Sequence, residues 1–106
     1  MPVESFWDYS DAEKPTGNID RDSTRKIPID WRDWLTQEQT TYASHLLITA
    51  TPLEIVSEAV LNGVVTFFVK VAALAEFTPG RRYPVTCRIT CTDSQIEDRT
   101  VYFRVI

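Results

Sequence analysis

From Lys26 onward apolar and polar residues alternate along most of the chain, and a period of two marks strands half buried on one face. Ile27, Ile29 and Trp31 alternate with Pro28 and Asp30, which predicts a first strand. The run Asp30-Trp31-Arg32-Asp33-Trp34-Leu35 then leads into Thr36-Gln37-Glu38-Gln39, a polar turn or a short helical turn. Tyr42 to Ala50 alternates again and predicts a second strand, which Pro52 interrupts. Leu53 to Val60 reads as a further strand with no clear buried face. Asn62-Gly63 supplies the positive φ values of a two-residue hairpin turn. In the strand that follows, Val65, Phe67, Val69 and Val71 share a face.

Pro79-Gly80 marks the next turn. Tyr83, Val85, Cys87, Ile89 and Cys91 then line one face of a strand from 83 to 92. After a turn at Asp93-Ser94, the last strand runs from Arg99 to Ile106 with Val101, Phe103 and Val105 inward. Short strands at spacings near ten residues, with no long amphipathic helix, predict an all-β antiparallel sandwich of about 6–7 strands. Trp31, Trp34, Tyr83, Val85, Cys87, Ile89, Val101 and Phe103 are its expected core.

Residues 1–26 carry Pro2, Pro15, Gly17 and Asn18 among frequent charges and show no sustained period. They predict an extended N-terminal arm, with the sandwich confined to 27–106. Phe6, Trp7 and Tyr9 put three aromatics within four positions of that arm. Exposed aromatics are common anchors of protein interfaces, so these three are the expected protein-interface residues.

Length and composition narrow the function. A chain of 106 residues makes one domain with a modest core. The net charge is −4, which disfavours a double-stranded nucleic-acid partner, since such binding rests on a basic surface. No apolar run approaches the ~18 residues of a membrane span. The acidic start MPVESFWDYSDAEK lacks a basic-then-apolar pattern, so export by a signal peptide is not expected. Cys87 and Cys91 lie four positions apart on one strand, about 13 Å, too far for a disulfide between them. Two thiols in a strand face read as small core hydrophobes.

Candidate chemistry is sparse. His45 with Cys87 is a conceivable base and nucleophile, but no local motif joins them. One histidine and two cysteines lack the paired spacing of a zinc site. Asp93, Glu97 and Asp98 cluster near a turn and suit solvated turn residues better than a calcium loop. Asp30 and Asp33 beside Trp31 and Trp34 raise a carbohydrate site as an alternative, against packing of both indoles. Three glycines leave no room for a phosphate-binding loop. No catalytic residue, metal ligand or cofactor is assigned.

Several of these elements together resemble a known family. Asp30-Trp31-Arg32-Asp33-Trp34-Leu35, the strand Tyr83-Pro84-Val85-Thr86-Cys87-Arg88-Ile89-Thr90 and the closing Asp98-Arg99-Thr100-Val101-Tyr102-Phe103-Arg104-Val105 occur in order. In this the chain is similar to the small Ig-like fiber–tail adaptor proteins of tailed bacteriophages. It departs from them in having a single glycine in the turn before Tyr83. The resemblance implies an Ig-like sandwich and a non-enzymatic structural protein of the virion tail, synthesised in the host cytoplasm. It implies contacts with tail or neck and fiber proteins, copies arranged in a homo-oligomeric ring, and neither nucleic acid nor membrane as partner. A capsid decoration or cement protein is the alternative within the virion.

Overall fold

The structure, a computed structural model, describes residues 7–8 by their backbone and residues 15–106 in full. Nine elements follow in chain order: β1 (Trp7–Asp8), β2 (Thr16–Ile19), β3 (Thr24–Asp30), α1 (Arg32–Gln37), β4 (Tyr42–Ile48), β5 (Leu53–Leu61), β6 (Val64–Val71), β7 (Arg82–Cys91) and β8 (Ile96–Val105). They form two sheets. One has the order β1-β2-β8-β7-β4 and the other β3-β6-β5. With β3 to β8 taken as the second to seventh strands of an immunoglobulin domain, these orders are those of its two sheets. The expected sandwich is therefore present, and its Ig-like connection order with it.

The inner faces are the ones that the alternation marks. Val65, Phe67 and Val69 of β6 are fully buried, as are Ile89 of β7 and Phe103 of β8. Val85, Cys87, Val101 and Val105 complete the facing layer, with Ile27 and Ile29 of β3 opposite. Tyr83 lies at the margin of the core, partly buried, where its hydroxyl accepts a hydrogen bond from the Thr78 backbone N–H at 2.7 Å. A tyrosine that ties back to the corner preceding its own strand is a recurrent brace of Ig-like sandwiches.

The arm boundary needs correction. The sandwich begins well before residue 27. β2 runs parallel to β8, with Gly17 opposite Phe103 and Ile19 opposite Val105. Ile19 is fully buried in the common core. β3 starts at Thr24, opposite Lys70 of β6, so a boundary at 26 would cut through a paired strand. A four-residue strand with one large apolar side chain is too short to display a period, which is why the sequence conceals it. β1 adds two residues antiparallel to β2, pairing Trp7 with Gly17 and Asp8 with Thr16. Phe6 and Tyr9 lie outside the described residues, and Trp7 is described by its backbone alone.

The helical turn is real but sits earlier than the polar run. α1 opens directly after Trp31, where Asp30 accepts from the Arg32 backbone N–H at 3.0 Å and Leu35 N–H bonds Trp31 C=O at 2.8 Å. It ends because Gln39 adopts a left-handed φ of 54°, and Thr40 N–H closes onto Leu35 C=O at 3.1 Å.

Candidate interaction surface

Each sheet has an open edge on the same flank of the sandwich. β4 ends the five-stranded sheet and β5 ends the three-stranded one. An edge strand presents unpaired backbone N–H and C=O groups to any strand that can align with them. Both edges here carry apolar side chains outward. Leu46 is 55% exposed and Ile48 40% on β4, while Val56 is 47% and Leu61 74% on β5.

The exposure on β5 has a local cause. The register with β6 shifts between Ile55 and Ser57, leaving Val56 as a bulge. Before the bulge Leu53 and Ile55 sit opposite Val71 and Val69, and Leu53 is buried. After it Glu58 sits opposite Phe67, so a carboxylate takes an inward-facing position at the sandwich rim. The clear inner face that β5 lacks in the sequence is thus split in two by the bulge.

Glu58 is held there by a relay across the flank. Its carboxylate lies 2.7 Å from His45 Nε2, and His45 Nδ1 lies 2.7 Å from the Tyr42 hydroxyl. His45 is an inward residue of β4, opposite Ile89. The three side chains link the edge strands of the two sheets, so the flank is a braced surface with both edges fixed relative to each other. Burial pushes the Tyr42 phenol up from its ordinary value, keeping it protonated as a donor or acceptor.

This arrangement answers the catalytic alternative. Both ring nitrogens of His45 are engaged by Glu58 and Tyr42, so neither is free to take a proton from Cys87. The Cys87 thiol is buried among the core side chains, and burial pushes its pKa up, away from the nucleophilic thiolate. Cys91 is raised in the same way and by the same cause.

The tryptophan pair is a packing element. Trp31 is fully buried, and its ring meets Trp34 edge to face at 5.6 Å. The Arg99 guanidinium covers the Trp31 ring at 4.4 Å from its centroid and donates to the Asp30 carbonyl. A sugar needs an open aromatic face, and Trp31 has none to offer. Trp34, expected in the core, lies at its margin and is only partly buried. Asp30 is turned to Arg32, whose guanidinium holds its carboxyl down at about 2.

The acidic group near 93–98 is dispersed. Asp98 pairs with Arg88 across β7 and β8 at 2.8 Å, and Asp93 accepts from the Gln95 side chain at 2.7 Å. Both carboxyls are held below their ordinary value by these partners. Among the described residues no group of three or more metal-ligating side chains converges.

The apolar flank was not singled out by the sequence. Its signal was visible as consecutive apolar residues, Leu46-Leu47-Ile48 and Val60-Leu61, where a one-sided strand should alternate. Residues on both faces of a strand mean either two buried faces or one face awaiting a partner.

Comparison with known proteins adds one finding. The family model described as Podophage GP4 fiber-tail adaptor protein gp77 matches residues 20–104. No curated protein matches the chain.

Proposed function

Because the chain belongs to the podophage fiber-tail adaptor family, a family of phage structural proteins, we propose that it joins the tail or neck of the virion to the tail fibers by protein–protein contacts. The observation that carries this reading is the extent of the match, which runs from Asp20, just after β2, to Arg104 in β8 and so takes in the sandwich from β3 to β8. The braced flank supports it, because two adjacent strand edges with outward Leu46, Ile48, Val56 and Leu61 suit docking of another protein rather than turnover of a small molecule. In this reading copies sit in a ring around a tail component. Phe6, Trp7 and Tyr9 anchor the N-terminal segment on a neighbouring virion protein.

The test is genetic and biochemical. Particles assembled without this chain are expected to retain heads and to lack fibers. Fiber content unchanged in such particles would overturn the proposal. Replacing Phe6 and Trp7 together by Ala is expected to leave the melting temperature of the isolated chain nearly unchanged and to reduce its incorporation into particles.

A further inference from the structure

Among the described residues the two sheets end in four edges, β1 and β4 on one and β3 and β5 on the other. Three of these carry features that discourage pairing with a further strand. β1 contributes only two residues. β3 holds Arg25, Lys26 and Pro28. β5 is broken by the bulge at Val56 and bears Glu54 and Glu58. β4 has no such protection. Its register with β7 shifts only between Tyr42 and Ser44, and from Ser44 to Ile48 it pairs residue by residue. No Asp, Glu, Lys, Arg or Pro occurs from Gln39 to Thr51. About 17 Å of regular strand therefore lies open, with alternate N–H and C=O groups directed away from β7.

The side chains on the two faces of that edge define what aligns with it. On the outer face Leu46 and Ile48 are exposed, and the neighbouring cation Arg88 is already paired with Asp98. A strand laid against β4 sets its own outer side chains beside these two, and apolar ones suit them. On the inner face His45 meets the Glu58 carboxylate, whose side chain stays 44% exposed at the rim. Glu54, the other carboxylate of β5, lies opposite Lys70. Glu58 is therefore the charge that a side chain opposite His45 on an added strand approaches, and a cation complements it. A second copy of β4 fits poorly. It has no Lys or Arg to offer, and pairing of two copies brings both Glu58 carboxylates to one flank.

From these observations we infer that β4 receives an extended segment of a different protein, with apolar side chains outward beside Leu46 and Ile48 and a basic one inward, facing Glu58. Main-chain hydrogen bonds along Ser44–Ile48 supply the affinity, and the alternating side chains select the partner. That this partner is another virion protein rests on the adaptor reading. The open edge and its preference belong to the isolated chain.

The probe is an end-blocked peptide, Val-Thr-Val-Lys-Val-Thr-Val, titrated into the full chain at about pH 8, above the range in which histidines ordinarily charge. Amide chemical shifts are expected to give a dissociation constant below about 1 mM, and the bound peptide to slow hydrogen exchange of amides within Ser44–Ile48. The same peptide with alternate amides methylated keeps its side chains, loses its edge donors and is expected not to bind. Replacing its Lys by Glu is expected to weaken binding by about fivefold, a preference that Glu58→Gln narrows. Leu46→Lys, at an exposed position, is expected to weaken binding by about tenfold, with Ile48→Lys as a second edge variant and circular dichroism to verify folding. No binding by the Lys peptide overturns the inference. So does protection that falls on β3 or β5, equal binding of the methylated peptide, or a preference for Lys unchanged in Glu58→Gln. Association of the chain with itself that Leu46→Lys abolishes gives the edge to a second copy and also overturns it. Peptide binding is read on the isolated chain and fiber content on particles, so either can fail without the other.

Discussion

Replacing Ile19 by Ala decides whether the segment before residue 27 belongs to the fold. Ile19 is fully buried in β2, opposite Val105 on the parallel partner β8. The substitution removes three carbons from a site without solvent. At about 0.8 kcal/mol per buried methylene the transfer loss alone is about 2.4 kcal/mol. The cavity left between the sheets adds to this, and Ile→Ala changes in cores cost about 2–5 kcal/mol. A loss near 3 kcal/mol is expected, or roughly 10–20 °C in melting temperature for a domain this small. Urea unfolding followed by tryptophan fluorescence measures it directly. Asn18→Ala, one residue away and exposed, is the control and is expected to stay within about 0.5 kcal/mol. A chain starting at Pro15 is expected to match the full length in stability, while one starting at Asp20 loses β2 and unfolds earlier. If Ile19→Ala costs less than about 1 kcal/mol, β2 is not part of the cooperative unit and the sandwich starts at β3.

Three further outcomes follow from the same packing. Trp31→Ala is expected to cost about 3–5 kcal/mol, and Trp34→Ala distinctly less because that ring is only partly buried, both read from urea midpoints. Gly63→Ala is expected to cost about 1–2 kcal/mol, since φ there is +78° and the added Cβ would meet Arg32 Cγ and Leu35 Cδ1 at 3.3 Å. Asp30 titrates at about 2 when folded against an ordinary 3.8, so the folded state resists its protonation. The stability it contributes is full above about pH 4 and is lost as pH falls toward 2; the group is solvent-exposed, so the effect stays below about 1 kcal/mol and disappears in Asp30→Asn, as urea midpoints across that range would show.

The strands that the sequence displays best are those with one buried face and enough length to show it. β6, β7 and β8 are each eight to ten residues long, and Phe67, Cys87 and Phe103 fall where alternation puts them. Asn62 and Gly63, with φ of 50° and 78°, form the hairpin turn that their residue types demand. β2 escaped because its burial depends on β8, more than eighty residues away in sequence, and on a single isoleucine. The flank escaped for a different reason. A bulge at Val56 and a cross-sheet link from His45 to Glu58 are tertiary facts with no local pattern. Leu74 is 93% exposed, and composition cannot tell a packed leucine from a projected one. Trp31 meets Trp34 edge to face, and only the fold shows Arg99 laid across the first of them.

The adaptor role is tested most directly by a cryo-EM map of the assembled particle at a resolution that separates strands. The account predicts several copies of this two-sheet sandwich at the junction of tail and fibers, with the flank of β4 and β5 buried against a neighbour. Copies spread over the capsid shell, or a junction without this fold, would contradict it.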